Sequence, residues 1–235
     1  MTGSEVHQDY WTQASVETSA AASTAPGFEL RVDMVRGIRP MDRQFGIMAR
    51  KTVPQPLLDP LFGQDDGRRD LQTYMILDAG RVKGLPEMLE TSGLEHRCLF
   101  KGEAYDKLKD VAPWLVRLVI DNRFTRQIFT QSDATWHLWD KEPGIYLRSA
   151  GSLGEMWRHF RKFTKLPDET GKWYYWRFWE GGFLLPVLNA ATPEDRQRFF
   201  LDGKIASIHL LTAGRHPELM TLKPPRGAGD GAGDA

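Results

Sequence analysis

The sequence predicts an α/β protein with a mixed central sheet flanked by helices. Two observations lead there. From Gln72 to Leu118, compact apolar runs alternate with short segments of helical spacing, giving strand, helix, strand, helix, strand in under fifty residues. The 235-residue chain also has 41% hydrophobic residues and eight tryptophans, enough to bury a sizeable core.

The chain opens with residues 1–26, rich in Ser, Thr and Ala, which predict a flexible tail. Tyr10-Trp11 is its one aromatic pair and a candidate to dock on a partner. Residues 27–70 predict an irregular arm containing one strand. Phe28 to Met34 alternates apolar and polar residues, the pattern of a half-exposed strand. Gly37, Pro40, Gly46, Pro54, Pro56 and Pro60 then punctuate the chain, with Met41, Phe45, Ile47 and Met48 between them. Such an arm either lies across the sheet or is kept for a partner. Gly63 to Asp70 is a charged connector.

Tyr74 to Leu77 predicts a buried strand stopped by Asp78. Leu85, Met88 and Leu89 have helical spacing, with Gly93 past the end. His96 to Phe100 and Trp114 to Ile120 predict two further strands, with a short helix around Tyr105 and Leu108 between them. Tyr74, Ile76, Leu99, Trp114 and Leu115 are the expected core of this sheet. Asn122 to Thr130 predicts a helix capped by Asp121 or Asn122, and Gly144 to Arg148 a strand. Ser152 with Glu155 forms a capping-box signature for the next helix, whose stripe is Leu153, Met156, Trp157, Phe160 and Phe163. Lys172 to Trp179 predicts a strand with aromatics on both faces, both covered. Helices follow around Phe183 to Leu188 and after Thr192. Ile205 to Thr212 and Glu218 to Leu222 predict late strands joined as a hairpin across Gly214. The glycine-rich tail from Pro224 to Ala235 predicts disorder.

Composition limits the function classes. Lys+Arg and Asp+Glu both number 31, so no net charge draws the chain to nucleic acid or an anionic membrane. No run of about eighteen apolar residues and no signal-like N-terminus appears, which predicts a cytoplasmic protein. The single Cys98 excludes an internal disulfide and reads as a buried, inert thiol in a strand. The histidines have no metal-ligand spacing, and no phosphate-loop or nucleophile-elbow pattern is present. No metal, cofactor or catalytic set is therefore expected. Asp78 ends the first core strand, where its ordinary role is to cap the turn or pair with an arginine.

From 148 to 178 there are seven basic residues against three acidic ones, interleaved with aromatics. Arg148, Arg158, Arg161, Lys162, Trp173, Tyr175 and Arg177 are the candidate partner-binding residues, because arginine and large aromatics are what protein interfaces favour.

Several short motifs occur in a telling order. Tyr74-Met75-Ile76-Leu77-Asp78 is followed by Leu99-Phe100-Lys101-Gly102 and Val111-Ala112-Pro113-Trp114-Leu115-Val116. Tyr146-Leu147-Arg148-Ser149, His159-Phe160-Arg161-Lys162-Phe163 and Trp176-Arg177-Phe178-Trp179 come after them. Together, over roughly residues 73 to 200, they resemble the adaptor (effector chaperone) family of bacterial type VI secretion. One corner departs from that pattern: Glu180-Gly181-Gly182 stands where the family has aspartate-proline-arginine. The resemblance implies an α/β lobe over 71–150 and a smaller, mainly helical lobe over 151–223. It implies a bacterial cytoplasmic chaperone that is not an enzyme and needs no cofactor. Its implied partners are a secreted effector and the spike-tip protein onto which the effector is loaded. The residues alone leave open an enzyme with a site near Asp78 and Arg148, or an immunity-type protein that binds a toxin.

Overall fold

The computed structural model describes residues 28–63, 70–167 and 170–225. The expected N-terminal tail with Tyr10-Trp11, and most of the charged connector and C-terminal tail, lie outside the described residues. Nine strands and seven α-helices run in the order β1 (Arg31–Val35), α1 (Gln55–Phe62), β2 (Gln72–Asp78), α2 (Leu85–Glu90), β3 (His96–Cys98), α3 (Glu103–Leu108), β4 (Pro113–Leu118), α4 (Arg123–Phe129), β5 (Gly144–Ser149), α5 (Leu153–Phe160), β6 (Lys165–Pro167), β7 (Trp173–Tyr175), α6 (Gly181–Ala190), α7 (Pro193–Phe199), β8 (Ile205–Thr212) and β9 (Glu218–Lys223), among the described residues.

The fold is α/β, as expected, with a central sheet that is antiparallel throughout where a mixed one was expected. Seven strands form one sheet in the order β1-β9-β8-β5-β2-β4-β3. Every neighbouring pair runs antiparallel. β2 sits between β4 and β5, with Ile76 opposite Leu115 on one side and Ile145 on the other. β8 and β9 form the expected hairpin and join this sheet, so strands from both ends of the described chain share it. Tyr74, Ile76, Leu99, Trp114 and Leu115 are all buried, as predicted.

Both faces of the sheet are covered, which explains the near-continuous apolar runs of β2, β4 and β5. Met75 and Leu77 face one layer, made by Leu57 and Leu61 of α1, Leu85 and Leu89 of α2, Phe124 and Ile128 of α4, and Ile38 and Val53 of the arm. Tyr74 and Ile76 face the other, made by Met156 and Phe160 of α5, Leu184 and Leu188 of α6, and Phe199 and Phe200. The arm thus lies across the sheet, and part of it is helical. Pro56 occupies the first turn of α1, where a missing N–H costs nothing, and Leu57 and Leu61 are buried one turn apart.

Local signals fix the other helices. Asn122 caps α4, its side chain accepting from the Phe124 N–H at 2.7 Å. Ser152 and Glu155 form the reciprocal capping box of α5, and Thr192 caps α7. Gly144 has no substitute: a Cβ there would stand 1.8 Å from the Ile76 carbonyl oxygen of β2.

The aromatic run also departs from expectation. The aromatic run 172–179 is a strand only over Trp173–Tyr175, which pairs with β6 as a separate two-stranded hairpin. Trp173, Tyr174 and Tyr175 are exposed, while Trp176, Phe178 and Trp179 are buried. With a single short partner strand, β7 is not covered on both faces. The chain leaves the ladder after Tyr175 and turns its remaining rings into the core.

Candidate functional site

The second face of the sheet is cored by rings. Phe160 stacks on Phe178 with centroids 5.5 Å apart, and Phe199 meets Phe163, Trp176 and Phe178 at 4.9, 5.7 and 5.8 Å. His159, buried in this cluster, bonds through Nε2 to the Phe199 carbonyl at 2.8 Å, and burial lowers its pKa. The cluster opens outward into a groove of about 800 Å³ between α5, the β6–β7 hairpin, α6 and α7. Phe163, Leu166, Trp173, Trp176 and Val187 line it, together with the charged residues Lys162, Lys165, Arg198, Asp195 and Asp202, of which Arg198 and Asp195 pair at 3.8 Å. Trp176 contributes a buried indole N–H with no hydrogen-bond partner among the described residues. Such a donor costs about 1–3 kcal/mol while unsatisfied.

Beside the groove, cations lie over rings. The Arg161 guanidinium sits 4.5 Å from the Trp157 ring centroid, and Arg97 lies over the same ring at 5.5 Å. Trp157 Nε1 donates to the Cys98 carbonyl at 2.7 Å, and Arg161 Nε donates to the Leu99 carbonyl at 3.2 Å. These bonds tie α5 to the edge strand β3. Next along, Phe100 meets Tyr175 at 5.3 Å, and Lys165 lies 4.9 Å over Tyr175. Lys172 lies 5.0 Å over Tyr174. Each exposed cation–ring contact is worth roughly 0.5–1 kcal/mol and holds its ring in one orientation.

The predicted partner-binding residues therefore fall into three groups. Arg158, Arg161 and Lys162 sit together at the end of α5, and Trp173 and Tyr175 stand close by on β7. Arg177 is engaged elsewhere: Nη2 donates to Asp78 Oδ2 at 2.6 Å, and Nε pairs with Glu180. Glu180 also binds Arg81 at 3.0 Å, and the Gly80 N–H donates to Asp78 Oδ1 at 2.9 Å. Asp78 thus both caps its turn and pairs with arginine. Burial raises its pKa, and Arg177 and Gly80 oppose that shift.

Arg148 stands apart from the others, buried on the opposite face. It donates to Thr73 Oγ1 at 2.7 Å and to the Gly63 carbonyl. Beside it on that face, His209 shares hydrogen bonds with Ser207 at 2.8 Å and Thr221 at 2.9 Å. These residues line a polar cavity of about 440 Å³. Burial, reinforced by the charges of Arg148 and Lys223, lowers the His209 pKa to about 3 and keeps the ring neutral.

Three contributors were not evident from the sequence. Trp157 looked like one more core position of the α5 stripe, but it is half-buried under two arginines. Arg97 lies about sixty residues upstream of Trp157 and Phe100 about seventy-five upstream of Tyr175, and no short-range pattern links them. Cys98 is buried as expected, and burial pushes its thiol pKa up to about 11. Among the described residues no three His, Cys, Asp or Glu side chains converge as a metal site. No described helix is long and apolar enough to cross a membrane.

No curated protein and no solved structure matches the chain. A family match does exist: residues 73–198, more than half of the sequence, fit the family described as a domain of unknown function, DUF4123. That span runs from β2 through α7 and so includes the groove and the cation–ring face. The chain belongs to the DUF4123 family.

Proposed function

We propose that this protein is an adaptor that binds a type VI secretion effector in the cytoplasm of the producing cell and helps load it onto the spike-tip protein. It acts by binding and not by catalysis. Membership of the DUF4123 family, known for effector-associated adaptors, supports the reading. The geometric observation that carries it is the run Trp173-Tyr174-Tyr175, exposed by 64%, 39% and 44% beside an apolar groove. Three consecutive large rings in solvent, two of them under stacked lysines, are costly to display without a partner. They supply rigid contact area that loses little entropy on binding. Lys162 and Lys165, on the hairpin side of the groove, favour an effector segment with acidic groups flanking apolar ones.

The test combines a binding assay with a secretion assay. The adaptor should co-purify with the effector encoded beside it, and deleting its gene should stop export of that effector. A deletion strain that exports normally but dies on contact with sibling cells would replace this reading with an immunity role.

A further inference from the structure

The arm, which lies outside the matched span, carries a second surface together with the end of α4. Met41 is locked to the end of α4: its N–H donates to the Phe129 carbonyl at 2.8 Å, and its carbonyl accepts from Gln131 at 2.9 Å. Three residues on, Gln44 closes a loop. Its Nε2 donates to the Lys51 carbonyl at 2.9 Å, and its Oε1 accepts the Lys51 N–H at 2.8 Å. Gln44 is itself 8% exposed, so both bonds are shielded from water. The clamp holds residues 45–50 as a closed tip. At that tip Phe45 is 79% exposed and Met48 fully exposed, with Ile47 at 49%. Trp136, 52% exposed, lies beside His137 next to this arm.

Four arginines lie on the arm and on the α4 helix to which it is bonded. Arg43 and Arg50 flank the clamp, and Arg123 and Arg126 belong to α4. None of the four has a carboxylate partner among the described residues. They are close enough to act on one another: burial and the charges of Arg50 and Arg123 lower the Arg126 pKa. Burial, with the charges of Arg126 and Arg43, lowers that of His137. A neutral protein that gathers unpaired arginines beside a fixed apolar tip has built a local positive field.

We infer that the clamped loop 44–51 and its arginines form a docking surface for a folded protein partner that offers an apolar hollow rimmed by carboxylates. The charge selects the acidic rim, and planar guanidinium groups match carboxylates two bonds at a time. Phe45 and Met48 fill the hollow as anchors held in place beforehand. A lipid surface fits less well, because the apolar tip is a single short turn and no lysine-rich amphipathic helix accompanies it. The inference rests on the adaptor reading for the choice of probes and assigns that protein a second contact, separate from the groove.

The test uses the full chain with the purified effector and spike-tip proteins encoded beside it, and with phosphatidylglycerol–phosphatidylcholine vesicles. F45S/M48S and R43E/R50E should keep the wild-type melting temperature. Each should bind one of the two proteins at least about ten-fold more weakly, the scale of an interface hot spot. The residual affinity of R43E/R50E should also depend less on salt. Wild-type affinity of both variants for both proteins would overturn the surface and leave the adaptor reading standing. Failure of the unaltered chain to bind either protein would overturn both. Vesicle binding that the two variants lose, with protein binding intact, would assign the tip to membranes and overturn the inference.

Discussion

The two faces of the sheet are covered by different chemistry. One is packed mainly by aliphatic residues from the arm, α1 and α2, with Phe124 and Phe129 of α4 among them, and gives way under β8 and β9 to the polar set of Arg148, Ser207, His209 and Thr221. The other is packed by phenylalanine and tryptophan from α5, α7 and the 176–179 turn, and that aromatic packing continues without a break into the exposed groove. Aliphatic layers fit many partners equally well. Rings hold one another at fixed angles, so a cluster that reaches the surface can present a defined face. The aromatic side therefore serves as core and, in the proposed function, as the scaffold for binding, whereas the polar set is buried and held by its own hydrogen bonds.

The comparison is broken most severely where both faces meet. Gly144→Ala drives a methyl group into the β2 backbone and should prevent stable folding, read as loss of the cooperative thermal transition. Phe199→Ala removes the ring that touches most of the aromatic cluster, and should cost about 3–5 kcal/mol in denaturant unfolding. Trp114→Ala on the aliphatic side should cost a similar amount, about 3–5 kcal/mol, since its ring is buried and its Nε1 donates to the Lys109 carbonyl. If F199A also weakens effector binding and W114A does not, the aromatic side is the scaffold of the groove.

The polar patch makes a pH prediction. His209 has its folded pKa depressed from 6.5 to about 3 by burial, then by Arg148 and Lys223. The unfolded chain therefore binds the proton first as pH falls. Stability should be full above about pH 6.5 and fall below it by up to about 1.4 kcal/mol per unit as long as the folded histidine stays neutral. His209→Gln should flatten that slope in denaturant titrations at several pH values. An unchanged slope would assign the acid sensitivity to other groups. Glu155 gives a smaller effect in a lower window. Lys204 and the Ser152 cap depress its pKa to about 2, so its contribution is present above its ordinary 4.5 and disappears as pH falls toward 2. Carbon-13 NMR titration of its carboxyl checks this.

Much of this difference was legible in the sequence, because it is local. The β2, β4 and β5 runs, the Asn122, Ser152 and Thr192 caps, and the β8–β9 hairpin each announce themselves within ten residues. Strand order was not legible, since β1 pairs with β9 across nearly the whole described chain. α1 was hidden because its prolines read as breaks, although Leu57 and Leu61 carried the period. Arg148 looked like a surface cation because its partners, Thr73 and Gly63, are about eighty residues away. Arg161 looked free for the same reason, yet its side chain ties α5 to the Leu99 carbonyl. Reversing its charge would therefore disturb packing as well as binding.

Lys162 and Trp173 avoid that difficulty, since both are exposed and both face the groove. The most direct test of the account is a calorimetric titration of the effector into the wild type and into the double variant Lys162→Glu, Trp173→Ala. The account predicts an unchanged melting temperature, with stability within about 0.5 kcal/mol for surface changes. It also predicts at least about ten-fold weaker binding, as for a lost anchor residue. Wild-type affinity in a correctly folded double variant would contradict the assignment of effector binding to the aromatic face.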